Sequence, residues 1–189
     1  MKTWIVTAAL LMGCRHRAKY VDPDEVSKVE GTGLEARDLR AVADEMTKQL
    51  LGSPAIAQFQ GVPRIAILPV ENRTRFLIDQ DILGTLISDQ VINGAVGKIA
   101  VVNRDLMAQI QKERQMKRDG QVDSQGFAAL AGVDLFLEGE LRALSASDTR
   151  SQTDYVVVRF QLTSAETGIV SWSNSWEVKK EGGWSVLYQ

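Results

Sequence analysis

The chain has 189 residues, 44% of them hydrophobic, and a formal net charge of -2, which is the composition of one globular domain with a short extension. This near-balanced charge gives no general field that would attract nucleic acid, and no basic cluster is interleaved with aromatic residues. Cys14 is the only cysteine, so an intramolecular disulfide is excluded and the fold must be held by its core.

The N-terminal stretch predicts an exported lipoprotein. The apolar run Trp4–Met12 is too short to cross a bilayer as a mature helix, and the small residue Gly13 precedes Cys14, as in a bacterial lipobox. We therefore expect residues 1–13 to be a signal peptide and Cys14 to be lipidated. Arg15 is not the aspartate that retains lipoproteins at the inner membrane, which favours the outer membrane. The alternative is a cytoplasmic start with a chance cysteine.

Residues 14–33 predict a lipidated cysteine followed by a flexible tether, and residues 34–189 a single globular domain. The tether is polar and contains turn signals at Asp22–Asp24 and Gly31–Gly33. Its roughly 17 residues before the second turn reach about 60 Å when fully extended and average about 23 Å as a flexible coil. His16, the only histidine, lies among basic residues here and fits a juxtamembrane patch better than a metal site.

The densest signal of the domain is a continuous apolar run, Val62–Val70, which predicts a central strand covered on both faces. Pro63 and Pro69 lie too close together for a helix, and Pro69 cannot donate to a strand ladder. Regular pairing should therefore end near Pro69, and Glu71–Arg73 should stand out as an exposed loop.

Helices are predicted on both sides of this strand. The spacing of Thr32 and Glu35 predicts a cap for a helix from about Leu34 to Leu51. Further helices are predicted after Asp79 and Asp105, with a short strand at 98–102 between them, and a small helix is predicted to open at Ser124.

The rest of the chain predicts three half-buried strands, because apolar and polar residues alternate around Leu135–Arg142, Val156–Leu162 and Val170–Val178. Ala165–Gly168 provides a hairpin turn, and Ser145–Thr153 a longer polar connection. The predicted fold is α/β with α+β character: a mixed sheet of about five strands flanked by helices, antiparallel in its C-terminal part.

Three segments carry a resemblance to a known family: Gly31–Glu35, Pro63–Thr74 and Glu166–Ser173. The Val-Glu-Asn-Arg-Thr segment and the Thr-Gly-Ile-Val-Ser-Trp hairpin are specific in combination, whereas either alone is a weak signal. Together with the lipobox they resemble the LpoB family, outer-membrane lipoproteins that activate penicillin-binding proteins. The resemblance covers nearly the whole chain from about Gly31 onward.

The resemblance implies a non-enzymatic protein on the periplasmic face of the outer membrane. Such a protein docks on a bifunctional penicillin-binding protein, a peptidoglycan synthase, and stimulates its glycosyltransferase and transpeptidase activities. No cofactor, nucleic acid or small-molecule substrate is expected. Members best known for this activity carry a long proline-rich tether, whereas this one contains only Pro23. The shorter reach requires a synthase that projects outward or a different partner nearer the outer membrane.

Candidate partner-binding residues are the polar side chains after the central strand, where a rigid strand would present them to a partner. A structural alternative is that Asn72 and Thr74 satisfy backbone groups in a turn. Trp184 and Tyr188 are candidate exposed anchors, whereas Trp172 and Trp176 share a strand face and fit the core. The complete candidate set is Glu71, Asn72, Arg73, Arg75, Trp184 and Tyr188.

Two other functions remain open from the sequence. Glu138 and Glu140 lie on one strand face, as paired carboxylates of a glycan-cleaving enzyme do, although a solvated outer face explains them as well. A structural component of an envelope assembly or secretion complex would use the same domain type and suits the short tether. The domain lacks cysteine and histidine, which leaves neither a metal set nor a nucleophile and base built on them.

Overall fold

The computed structural model describes residues 19–26, 31–121 and 131–183. In these residues the helices are α1 Ala36–Leu51, α2 Pro54–Ala57, α3 Gln80–Gly94 and α4 Met107–Arg118. The strands are β1 Arg64–Ile67, β2 Glu71–Arg73, β3 Ala100–Val101, β4 Leu135–Ser147, β5 Ser151–Ser164 and β6 Val170–Gly183. None of the helices in this part of the chain is long and apolar enough to cross a membrane.

The strands form one open mixed sheet in the order β3-β1-β4-β5-β6, with β2 paired to β4 beyond the end of β1. β3, β1 and β2 run parallel to their neighbours, whereas β4, β5 and β6 are long antiparallel strands joined as successive hairpins. This arrangement confirms the predicted mixed sheet with an antiparallel C-terminal part.

An ion pair at the start of β1 fixes its register against β4. The guanidinium of Arg64 donates to Asp134 through Nε and Nη2, at 2.9 and 2.6 Å, and the Arg64 backbone N–H donates to the same carboxylate at 2.8 Å. The Arg64 side chain and then its N–H hold the pKa of Asp134 below its usual value. Because a one-residue slip would turn every β1 side chain to the wrong face, this bidentate contact specifies the pairing.

The interior of β1 is buried on both faces, as the sequence predicts, since the adjacent Ile65 and Ala66 are both inaccessible. Ile67 is only partly buried. On the face covered by helices, strand residues pack against the apolar stripes of α1 and α3. Trp172 and Trp176 are half-buried against this core, as expected. The fully buried centre comprises Val42, Leu50, Ile65, Val70, Leu83, Ile87, Val91, Leu141, Val156, Val158, Phe160 and Leu162.

The prediction that Glu71–Arg73 forms a loop is wrong. Pairing does lapse at Pro69, which lacks an N–H, but the Leu68 N–H still donates to the Leu137 carbonyl at 2.9 Å. The chain then rejoins the same partner strand as β2, with Glu71 opposite Glu140 and Arg73 opposite Arg142. These side chains therefore project from a sheet rather than from a loop.

Two helix starts differ from the prediction. α1 is capped by Glu35 and not by Thr32. The Glu35 backbone N–H donates to the Asp38 carboxylate at 2.8 Å. Thr32 is buried in the domain, two residues before the boundary expected from the sequence. α4 begins at Met107, and Asp105 donates its own N–H to the Asn103 side chain instead of capping the helix. The helix expected at Ser124 lies outside the described residues.

Both late hairpins are present, but the first is tighter than predicted. β4 and β5 extend through most of the expected Ser145–Thr153 connection, which leaves only Asp148–Arg150 between them. The Asp148 carboxylate accepts the N–H groups of Arg150 and Ser151, at 2.8 and 2.7 Å, and so closes the turn. The second turn, Ala165–Gly168, is confirmed, with Gly168 at φ +69°.

Gly139 on β4 generates a testable prediction about the core. A Cβ at this position would lie 2.4 Å from the Phe160 ring, which is itself buried. We expect Gly139→Ala to lower the free energy of unfolding by about 1–3 kcal/mol, because the ring has no room to withdraw. Urea denaturation measures the change.

The matched control places the same alanine beside a smaller side chain. With Phe160→Leu as background, Gly139→Ala should cost much less, since the clashing ring atoms are gone. An equal cost in both backgrounds would show that the contact with Phe160 is not the cause.

Candidate partner-binding face

The two faces of the sheet have opposite character. Register places Leu137 opposite Leu162, and Leu162 opposite Trp172, on the face that the helices cover. The intervening residues point to the other side, because successive strand side chains alternate between faces. We call this second surface the open face; it carries Glu71, Arg73, Glu138, Glu140, Arg142, Arg159, Gln161, Ser173, Glu177 and Lys179.

A polar groove of about 360 Å³ crosses the open face where β2, β4 and β5 lie side by side. Both signs of charge line it. Arg73 donates to Glu71 at 2.8 Å, and this hydrogen bond lowers the pKa of the Glu71 carboxyl. Arg159 lies 3.9 Å from Glu140 and donates through Nε to Ser173 at 3.0 Å. The groove therefore offers carboxylates and guanidiniums side by side.

Glu138 and Glu140, the paired carboxylates of the enzyme interpretation, both line this groove. Glu138 accepts hydrogen bonds from Gln161 at 2.6 Å and Thr163 at 3.2 Å. Glu140 accepts from Arg142 at 3.1 Å. Each carboxylate is thus engaged by donors of the same sheet, an arrangement that ties neighbouring side chains together on a solvated surface.

The predicted site residues separate in the structure. Glu71 and Arg73 lie together at the groove, and both are more than half exposed. Asn72, between them, points to the opposite face, where its amide donates to the Phe76 carbonyl at 2.9 Å and accepts the Thr74 N–H at 2.9 Å. This geometry corresponds to the turn-stabilising alternative for Asn72. Trp184 and Tyr188 lie outside the described residues.

Arg75 does not line the groove; its side chain contacts the end of the sheet at Asp154. Its Nη2 donates to both oxygens of Asp154, at 3.0 and 2.9 Å, and its guanidinium lies 5.2 Å from the centre of the Phe76 ring. The Arg75 side chain is 42% exposed, whereas that of Asp154 is completely buried. Arg75 is therefore a structural ion-pair partner with one solvated edge.

Asp154 collects further donors from distant parts of the chain. Ser145 on β4 donates its hydroxyl to Asp154, and Gln152 donates its amide both to Asp154 at 2.7 Å and to Thr32 at 2.9 Å. Burial opposes ionisation of the carboxyl, but the hydrogen bonds, led by that from Ser145, outweigh it and hold its pKa below the usual value. We call Thr32, Arg75, Ser145, Gln152 and Asp154 the Asp154 cluster.

Sequence reasoning missed Arg159 and Gln161 as groove residues. Their alternation with Val158 and Phe160 predicts an outward direction, but only the register against β4 brings them beside Glu138 and Glu140. Within residues 19–26, 31–121 and 131–183, no group of three or more His, Cys, Asp and Glu side chains is placed to hold a metal ion.

Comparison with known proteins identifies the family. A family model described as the peptidoglycan-synthase activator LpoB matches residues 38–178, which is more than half of the chain. The chain belongs to the LpoB family. At the family level it is thus a regulator of peptidoglycan synthesis, and the family description names an activator rather than an enzyme. LpoB family proteins are outer-membrane lipoproteins of the periplasm.

Solved LpoB structures resemble the fold at low sequence identity. The LpoB C-terminal domain from Salmonella enterica has a TM-score of 0.47 and 12% identity, covering 75% of this chain and 98% of that chain. The corresponding domain from Escherichia coli has a TM-score of 0.46 and 16% identity over the same shares. The NMR structure of E. coli LpoB has a TM-score of 0.45 and 13% identity, covering 94% of this chain and 88% of that one. No curated protein matches the sequence.

The lowered pKa of Asp154 predicts how stability depends on pH. Because the folded pKa lies below the unfolded value of about 3.9, the cluster stabilises the fold above that pH. Its contribution is lost as pH falls through the folded pKa. We expect Asp154→Asn to lower the free energy of unfolding by about 3 kcal/mol at neutral pH and to flatten the loss of stability as the pH falls below the unfolded pKa of about 3.9.

Urea denaturation at a series of pH values checks this expectation. Asp44→Asn, which removes an exposed carboxylate of α1, is the control and should change stability by less than about 0.5 kcal/mol. If Asp154→Asn leaves the acid dependence as steep as in the wild type, the cluster is not the group that titrates.

Proposed function

We propose that this chain is a lipoprotein anchored in the outer membrane through Cys14, which binds a bifunctional penicillin-binding protein in the periplasm and activates it. The observation that carries the proposal is the match of residues 38–178 to the peptidoglycan-synthase activator family. The role is recognition without chemistry of its own: the domain binds the synthase and favours its active state. Both the glycosyltransferase and the transpeptidase reactions are thereby stimulated.

The open face is the surface we assign to this partner. The opposite face of the sheet is occupied by the protein's own helices, whereas the groove beside β2 presents charged side chains to solvent. Glu71 and Arg73 form the exposed rim, on a strand held in register by β4. Fixed charges of both signs suit a partner of complementary pattern, because charge complementarity sets orientation and rejects wrong partners.

The N-terminal segment limits how far this face travels from the membrane. Asp24 forms an ion pair with Arg40 of α1 at 2.8 Å, so that the turn at Asp22–Glu25 lies against the domain. Nine residues, 15–23, then separate Cys14 from this contact, and the connection spans at most roughly 35 Å. We propose that the domain works close to the outer membrane and meets a synthase that projects toward it.

Stimulation of glycan polymerisation tests the function directly. The purified protein, added to the source organism's bifunctional synthase and lipid II, should raise the rate of polymerisation. If the rate does not change, activation of this partner is wrong, and the envelope-assembly alternative takes its place. Release of fragments from purified cell wall without any synthase would instead support the enzyme, and loss of that release in Glu138→Gln would locate it.

Arg73→Glu tests the binding face. The side chain is 51% exposed and donates to the exposed Glu71, so the fold should persist when it is replaced. Reversing its charge should weaken association with the synthase by about tenfold or more, equivalent to ~1.4 kcal/mol. Binding is measured by surface plasmon resonance and folding by urea denaturation.

Lys179→Glu is the matched control for this test. It makes the same change of charge on the open face, at a 60% exposed residue of β6 outside the groove. Equal losses in the two variants would indicate a general charge effect. Unchanged binding by Arg73→Glu would remove the groove from the interface.

Inhibition of lipoprotein signal-peptide cleavage tests the anchor. In cells treated with globomycin, the uncleaved precursor should accumulate and migrate more slowly than the mature protein. Cys14→Ala should abolish membrane association and the effect of globomycin together. Unchanged mobility in treated cells contradicts lipidation at Cys14.

A further inference from the structure

A second groove, apolar where the first is polar, lies between the start of α1, the segment before α3 and the first turns of α3. Its volume is about 430 Å³, within the range of clefts that bind ligands. Glu35, Arg40 and Asp79 provide polar groups at its lining. The apolar lining comprises Leu34, Leu39, Leu77, Ile78, Ile82 and Leu86.

The N-terminal segment builds one wall of this apolar groove. Pro23 lines it, held in a turn in which the Glu25 N–H donates to the Asp22 carbonyl at 3.0 Å. The ion pair between Asp24 and Arg40, at 2.8 Å, fastens the turn to α1. This wall is therefore a turn that one backbone hydrogen bond and one ion pair hold in place.

The groove leaves large apolar side chains in water. Leu77 is fully exposed and Ile82 is 49% exposed, although both lie beside the buried stripe of α3. Single exposed apolar residues are ordinary, but several around one concave surface mark a site that another segment covers. An occupant with apolar side chains would remove this area from water.

The sequence supplies a suitable occupant, and the strand that precedes it ends near the start of α1. Trp184–Gln189, which we call the aromatic segment, contains Trp, Val, Leu and Tyr in six residues. β6 passes the start of α1 just before this segment, because Lys180 donates to the Gly33 carbonyl at 3.1 Å. A Cβ on Gly182 would lie 3.3 Å from the Thr32 methyl group, two residues before the groove begins at Leu34.

Length and composition both allow the connection. Six residues span roughly 20 Å when extended, which is more than the two-residue separation between Thr32 and the edge of the groove demands. Gly182 and Gly183 precede the segment, and glycine permits a change of direction at the end of β6.

We propose that the aromatic segment docks in the apolar groove and packs its tryptophan and leucine against Leu34, Leu77 and Ile82. An occupant with these side chains would remove the exposed parts of Leu77 and Ile82 from water. Docking gives Trp184 an intramolecular role instead of a role as a partner anchor. The inference does not depend on the proposed function.

Disulfide trapping tests the docking. In a chain carrying Cys14→Ala, the substitutions Leu77→Cys and Leu187→Cys provide the only two thiols. Under mild oxidation we expect an intramolecular disulfide to form about tenfold faster or more than in the control, because docking raises the effective concentration of the pair. Leu77 is fully exposed, so its replacement does not disturb the core.

The control pairs Leu187→Cys with Val96→Cys, which is 83% exposed beyond the other end of α3. α3 has 15 residues and is about 22 Å long, so this cysteine lies far from the groove. Equal rates for the two pairs would overturn the proposal. Disulfide-linked dimers whose yield rises with protein concentration would also overturn it, since they assign the groove to a second copy.

Hydrogen exchange in the chain with unaltered Leu77 provides an independent measurement. Trp184→Ala with Leu187→Ser should raise the exchange rate of amides in residues 77–86 severalfold and leave those of β4 and β5 unchanged. Unchanged exchange at 77–86 would mean that the segment does not cover the groove.

Discussion

The buried carboxylate of Asp154 is the constraint on which the arrangement of the domain depends. A charge without solvent contact is tolerated only if its oxygens are satisfied, and here the donors come from the segment after β2, from β4 and from β5 itself. Gln152 extends the cluster to Thr32 before α1. One ionised group therefore holds both the residues before α1 and the residues after β2 against the same sheet. Arg75 thus fixes the chain just after Glu71 and Arg73, while β4 fixes it alongside them.

The sequence predicts the antiparallel half of the fold because its information is local. Alternation with a period of two gives the strands and their faces from Leu135 onward, and short turns join them. The pairing of Glu71 with Glu140 has no such signal, since the partners are 69 residues apart and β2 has three residues. A segment that short, after a proline, has the pattern of a loop. Its role as a strand depends on β4 offering unpaired backbone beyond the end of β1.

The same limit applies to the candidate site. Exposure of Glu71 and Arg73 follows from the sequence, because charged residues directly after an apolar strand remain in water. The separate roles of Asn72 and Arg75 do not follow, since they depend on which face each residue meets. Strand geometry turns Asn72 away from its neighbours, and the buried Asp154 draws Arg75 to itself. The four polar candidates within residues 71–75 thus divide into two charged side chains exposed to solvent and two side chains that stabilise the fold.

The two grooves lie on different surfaces of the domain. The polar groove lies on the open face of the sheet, whereas the apolar groove lies among the helices and the N-terminal segment. A partner on the open face would not compete with an occupant of the apolar groove, because the sheet stands between the two surfaces. The connection between them is the segment after β2: Glu71 and Arg73 line the first groove, and Leu77 and Ile78 line the second. Arg75 lies between these two pairs in the sequence, and its ion pair with the buried Asp154 ties this part of the connection to β5.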